Sequence, residues 1–176
     1  MSLDHLWATW RSAYIAGVSE GRATSSPTVP DGDGSLFERI LAAPGSDDDK
    51  QIVHRGDGCF VILNRYPYTV GHLMVLPNRA VAELEDLDPD EFDELWELVR
   101  DSVVALKTGL GSEAVNVGIN LGSAAGGSLA EHLHVHCVPR WIGDTNFMTV
   151  AGQTRVLPLS LDEARERIQS SWPIGR

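Results

Sequence analysis

The sequence predicts an α+β fold: an antiparallel sheet of about five strands, one long helix packed on it, and helical extensions at both ends. Short apolar runs punctuated by turn residues occupy 51–77 and return at 115–138, the pattern of neighbouring antiparallel strands. Between them lies a single long amphipathic stretch with a strong helix start. Across 176 residues, 43% hydrophobic and 22% charged residues are globular proportions, and the length suits one domain with one active site.

In chain order, Leu6, Trp7, Trp10, Tyr14 and Ile15 fall at helical spacing within residues 5–18, and a Gly/Ser/Thr/Pro loop runs from Gly17 to Gly34. Residues 1–33 therefore form an appendage to a domain spanning 34–158. Gln51–Val53, Cys59–Asn64 and His72–Pro77 are expected strands, divided by Gly-Asp-Gly and by Tyr-Pro-Tyr-Thr-Val-Gly. Asp88-Pro89-Asp90-Glu91 combines an N-cap, a first-turn proline and an acidic first turn. It leads into Phe92, Leu95, Trp96, Val99, Val103 and Leu106, a helix ending near Gly109. Val115–Leu121 and His132–Val138 are the remaining strands, joined by the side-chain-poor Gly122-Ser-Ala-Ala-Gly-Gly-Ser128. Ser160-Leu-Asp-Glu163 is a capping box that opens a C-terminal helix within 159–176.

Fourteen Lys and Arg against 25 Asp and Glu give a net charge of -11, which repels nucleic-acid backbones and anionic membranes but leaves room for a small phosphate ligand held by backbone N–H groups. Cys59 and Cys137 lie in apolar runs and read as reduced, buried thiols. With no signal peptide or membrane-length apolar run, the expectation is a cytoplasmic protein.

His132-Leu-His134-Val-His136-Cys-Val138 alternates strictly, so a strand would present three of the chain's six histidines on one face, roughly 7 Å apart. From this pattern alone, nucleophilic catalysis, metal binding and plain packing all stay open. The preceding Gly126-Gly127-Ser128 can offer N–H groups and a hydroxyl to an anion. It lacks the lysine of a phosphate-binding P-loop and leads into a strand, which excludes that motif.

These residues resemble the His-φ-His-φ-His-φ-φ signature of the histidine-triad family. Asn64-Arg-Tyr-Pro-Tyr-Thr-Val-Gly-His72-Leu-Met-Val-Leu-Pro-Asn-Arg79 is similar to that family's upstream strand-turn-strand, and the likeness covers roughly residues 34–158. Gly126-Gly127-Ser128-Leu-Ala-Glu-His132, Pro139-Arg140-Trp141, Asp144-x-Asn146-Phe147 and Gly152–Pro158 look most like the branch containing actinobacterial diadenosine tetraphosphate phosphorylases. The resemblance implies a dimer-forming α+β fold, a purine nucleotide pocket and chemistry at an α-phosphorus. It makes His134 the nucleophile, with His132 and His136 orienting it, binding phosphate or assisting the leaving group. It places Asn64 at the ribose, Asn120, Gly127 and Ser128 at the phosphates with His72 nearby, and Trp141 as a base-stacking residue, a pocket lid or core packing.

The expected reaction is phosphorolysis of diadenosine tetraphosphate to ATP and ADP, with hydrolysis by the same histidine, a non-catalytic nucleotide sensor and a three-histidine metal site as rivals. No cofactor is expected. Where many relatives carry a Cys-x-x-Cys zinc pair this chain has Ser35-Leu36-Phe37-Glu38, so that structural zinc site is expected to be missing. Ser128 stands where hydrolase branches have Gln, and Ile142 replaces a Gly common in the similar branch.

Overall fold

The computed structural model describes residues 32–126, 129–145 and 157–173. Their elements are α1 (Leu36–Ala42), β1 (Ile52–Arg55), β2 (Cys59–Leu63), β3 (Leu73–Pro77), α2 (Pro89–Leu110), β4 (Ala114–Ile119), β5 (Val135–Arg140) and α3 (Leu161–Ser170), with short 3-10 turns at Leu84–Asp86 and Ser123–Ala125. The strands form one antiparallel sheet in the order β1-β2-β3-β5-β4. The expected α+β sheet, long helix and C-terminal helix are thus present. The expected N-terminal helix over 5–18 lies outside the described residues.

The runs Cys-Phe-Val-Ile-Leu of β2 and Leu-Met-Val-Leu-Pro of β3 are buried at every position because both faces of the sheet are covered. On one face Val61, Leu63, Leu73, Val75, Val135 and Cys137 pack against Leu95, Val99 and Leu106 of α2 and Ile168 of α3. On the other, Ile52, Phe60, Ile62, Met74 and Leu76 pack against Phe37 of α1, with Ile40 and Leu41 alongside. Expectation and structure differ here, since the sequence indicated a cover on one side only. The second cover is α1, whose N-cap Ser35 closes a capping box with Glu38.

The long helix begins as expected at Asp88, whose N–H reaches Glu91 Oε2 (3.0 Å), and ends at Gly111 in the left-handed conformation. Cys59 and Cys137 are buried and free, and burial pushes both thiols up to about 12, so neither supplies a thiolate. Among the described residues no helix is long and apolar enough to cross a membrane.

Gly71 fixes the approach of β3 to α2. Its φ is +77°, and a Cβ there would overlap Leu110 Cδ1 and touch Ile168 Cδ1 at 3.6 Å. Gly111 has φ +63° but open space around it. Gly71→Ala should therefore add overpacking to left-handed strain and cost about 2–4 kcal/mol, whereas Gly111→Ala should cost only the strain, about 1–2 kcal/mol. Urea unfolding of both variants checks the order, and equal losses would contradict it.

Candidate active site

The candidate site grows from the start of β5. Sheet pairing begins at Val135, so His132–His134 form an irregular lead-in and not the first half of a strand as expected. There His132 N–H donates to Leu129 O (3.3 Å) and Leu133 N–H to Val81 O (2.6 Å). The three imidazoles nevertheless lie on the α1 side. Phe37 meets the His132 ring edge-on at 5.3 Å and the His134 ring at 5.8 Å, and His136 pairs across the ladder with Met74. This cover buries them more deeply than an open strand face would: His132 is 0% and His134 7% exposed.

Neutral imidazole has one N–H and one lone pair, and the partners decide which nitrogen has which. His134 Nδ1 is 2.9 Å from the carbonyl oxygen of His132. A carbonyl only accepts, so Nδ1 carries the hydrogen and Nε2 the lone pair. His132 Nε2 likewise donates to Pro77 O (2.9 Å), and its Nδ1 accepts from the Ser35 hydroxyl (2.6 Å).

His72, fully buried, has Nδ1 facing the Tyr68 N–H (3.2 Å) and the Asn64 amide nitrogen (3.3 Å). Its Nε2–H therefore donates to His136 Nδ1 (3.0 Å), which leaves His136 with its hydrogen on Nε2. The His134 and His136 rings stand edge to face, 4.8 Å between centroids. One presents a lone pair at Nε2 and the other an N–H at Nε2. Burial, reinforced by His134, drives the His136 pKa down to about 4, and burial also lowers that of His132, so both are neutral near pH 7.

Beside them the floor is open. Gly118 pairs with His136 across β4–β5, is exposed, and has nothing within 4 Å of where a Cβ would stand. Asn120 immediately follows β4, whose last residue, Ile119, pairs with Val135. Asn64 is tied into the same network: Oδ1 accepts the Tyr66 N–H (2.9 Å) while its amide reaches His72. The structure thus brings together His132, His134, His136, His72 and Asn64, with Asn120 at the margin. Gly127 and Ser128 lie outside the described residues, so their expected phosphate contacts are not visible.

Trp141 stands apart from the imidazoles. It follows the far end of β5, five residues or about 17 Å along the strand from His136, and its indole N–H donates to Gly111 O at the end of α2 (3.0 Å). The site also includes residues that sequence reasoning passed over: Ser35, Phe37 and Tyr68, whose ring lies 4.6 Å from His72 and 5.9 Å from His136. The Ser-x-x-Glu capping pattern could have revealed α1. Nothing in the spacing announces a contact between Ser35 and His132, 97 residues apart.

The donor set at Ser35–Glu38 does not fit a zinc ion. The Ser35 hydroxyl is engaged with His132, Glu38 accepts from the N–H groups of Ser35 (2.8 Å) and Ala80 (3.0 Å), and both His132 nitrogens have protein partners. Among the described residues no group of three or more His, Cys, Asp or Glu is arranged to hold a metal.

Comparison with known proteins gives a consistent relationship. The HIT domain family matches residues 46–141, more than half of the chain. The chain is 42% identical over 170 residues, 97% of its length and 85% of the relative's, to a protein of Mycobacterium tuberculosis (strain H37Rv) named AP-4-A phosphorylase. It is 36% identical over 90 residues, 51% of this chain and 49% of the relative, to the asymmetrical bis(5'-nucleosyl)-tetraphosphatase of Schizosaccharomyces pombe. Among solved structures, a Zn-bound histidine triad family protein from Mycobacterium smegmatis superposes with a TM-score of 0.63 at 26% identity, covering 78% of this chain and 91% of that one.

The depressed His136 pKa has a thermodynamic consequence. Between the ordinary 6.5 and about 4, the unfolded chain binds a proton that the folded chain refuses. Its contribution to stability is complete above the unfolded value and is lost as pH falls through this window. His132 and His54 shift in the same direction. Urea midpoints should therefore fall between about pH 7 and pH 5, and His136→Gln should make the decline shallower. An unchanged slope in that variant would contradict the assignment.

Proposed function

The chain belongs to the histidine-triad (HIT) domain family, and on that premise we propose that it transfers a nucleotidyl group from a dinucleoside polyphosphate through a covalent intermediate on His134. The substrate is diadenosine tetraphosphate and the acceptor inorganic phosphate, giving ATP and ADP. Identity over nearly the whole chain to a relative named AP-4-A phosphorylase supports this choice. The observation that carries the mechanism is the hydrogen bond from His134 Nδ1–H to His132 O, which keeps the Nε2 lone pair available for attack on phosphorus.

In the first step Nε2 bonds to an α-phosphorus, the bond from that phosphorus to its bridging oxygen breaks, and ATP departs. The imidazole becomes cationic, and its Nδ1–H bond to His132 O strengthens. His136 Nε2–H is the neighbouring donor for the departing oxygen. In the second step a phosphate oxygen attacks the same phosphorus, the P–N bond breaks, its electron pair returns to Nε2, and ADP leaves. Asn64 retains an Oδ1 lone pair and an amide hydrogen for ribose hydroxyls, while Asn120, Gly127 and Ser128 serve the phosphates.

The protein acts as a homodimer. Among the described strands β4 ends the sheet, with Asn116, Val117 and Gly118 exposed, an edge that a second copy can extend. Its free, buried thiols suit the reducing cytoplasm.

Product analysis with and without phosphate tests the reaction. ADP should appear from diadenosine tetraphosphate only when phosphate is supplied; turnover indifferent to phosphate would reassign the acceptor to water. His134→Ala should lower turnover by at least ~10³-fold while leaving nucleotide affinity within a few-fold, because the attacking group alone is lost. Near-normal turnover in a folded His134→Ala protein would overturn the covalent mechanism.

A further inference from the structure

We propose that Ser35 is a positioning residue for the nucleophile: its hydroxyl fixes the tautomer and orientation of His132, whose carbonyl in turn holds His134. This rests on the reading of His134 as the nucleophile.

The lead-in to β5 lies outside the sheet ladder. His134 takes its tautomer from the His132 carbonyl, yet sheet pairing begins only at Val135. The backbone at His132 and Leu133 is tied through two N–H groups, to Leu129 O and Val81 O. The His132 side chain adds two further anchors, from opposite sides. Nε2–H donates to the end of β3 at Pro77 O (2.9 Å), and Nδ1 accepts from Ser35 Oγ at the start of α1 (2.6 Å). Both partners are buried, Ser35 at 7% and His132 at 0% exposure, so water does not replace a lost bond readily.

The direction of the Ser35 bond is set by elimination. Pro77 O can only accept, so the His132 hydrogen is on Nε2 and Nδ1 is a lone pair. The serine must donate to it. Its oxygen meanwhile accepts the Glu38 N–H (3.2 Å), and Glu38 Oε2 accepts the Ser35 N–H (2.8 Å). A helix cap alone could be Asp or Asn as well as Ser or Thr. Accepting from Glu38 while donating to His132 through one oxygen requires a hydroxyl. Ser35 is therefore chosen by two demands, and only the second concerns the site.

Steady-state kinetics on Ser35→Ala, Ser35→Asp and Ser35→Thr, with ¹⁵N spectra of the imidazoles, separates these demands. Ser35→Asp keeps the cap but sets a carboxylate against a lone pair, so His132 must take a second proton at Nδ1. Ser35→Ala and Ser35→Asp should each lower kcat by about 10- to 100-fold with little change in KM, as expected for a misplaced reacting group. Ser35→Thr should recover most of the rate. In the spectra the wild-type protein should show His132 protonated at Nε2 alone, and Ser35→Asp should show both nitrogens protonated. Wild-type kcat in both Ser35→Ala and Ser35→Asp would overturn the proposal, as would a loss that Ser35→Thr shares in full or that follows the unfolded fraction. If instead no nucleotidyl adduct forms on His134 in the wild-type enzyme, the reading of the site fails, while the His132 tautomer is still decided by the spectra.

Discussion

A buried imidazole is least costly when neutral, and then each ring nitrogen must act as donor or acceptor but not both. That constraint organises this active site. Pro77 O commits one nitrogen of His132, the His132 carbonyl commits one of His134, and the Tyr68 and Asn64 groups commit one of His72, which passes the choice on to His136. Two neighbouring rings with the same intrinsic chemistry end in opposite states, a lone pair at Nε2 of His134 and an N–H at Nε2 of His136. The committing partners are backbone carbonyls, a backbone N–H and a side-chain amide, none of which titrates, and they fix which ring nitrogen bears the hydrogen in each neutral imidazole.

The two covers of the sheet explain where this network can sit. α2, 22 residues long, and α3 seal one face and contribute most of the core. α1 has seven residues and covers only part of the other face. Phe37 shields His132 and His134, whereas His136 is half-buried and Gly118 beside it lies open. The seven-residue helix thus covers His132 and His134 and leaves the neighbourhood of Gly118 open.

Much of this was legible in the sequence, and the exceptions share a cause. All five strands, the helix after Asp88 and the capping box at Ser160 follow from period, caps and turn residues, which are local properties. Alternation also puts the three histidines on one face, although only His136 of them lies within β5. The depth of their burial does not follow from alternation, because it depends on Phe37, roughly a hundred positions upstream in the chain. Ser35 was visible as a departure from a cysteine pair, which drew attention to the metal it would not bind and away from the helix it caps. His72 was marked as a site residue, but its hydrogen bond to His136 joins positions 64 apart and appears only when β3 and β5 pair.

The acidity of the chain bears on how such a site can handle a polyphosphate. With a net charge of -11, long-range attraction to an anion is absent, and His132 and His136 contribute no positive charge near neutral pH. A permanently charged pocket would bind substrate and transition state alike, which lowers KM without speeding the chemistry. On the proposed mechanism a cation appears when Nε2 of His134 bonds to phosphorus, next to the phosphate charge that the attack redistributes. The Nδ1–H bond to the His132 carbonyl is then a charge-assisted one and stronger than before. On that mechanism the stabilisation develops along the reaction coordinate and is withdrawn when the P–N bond breaks.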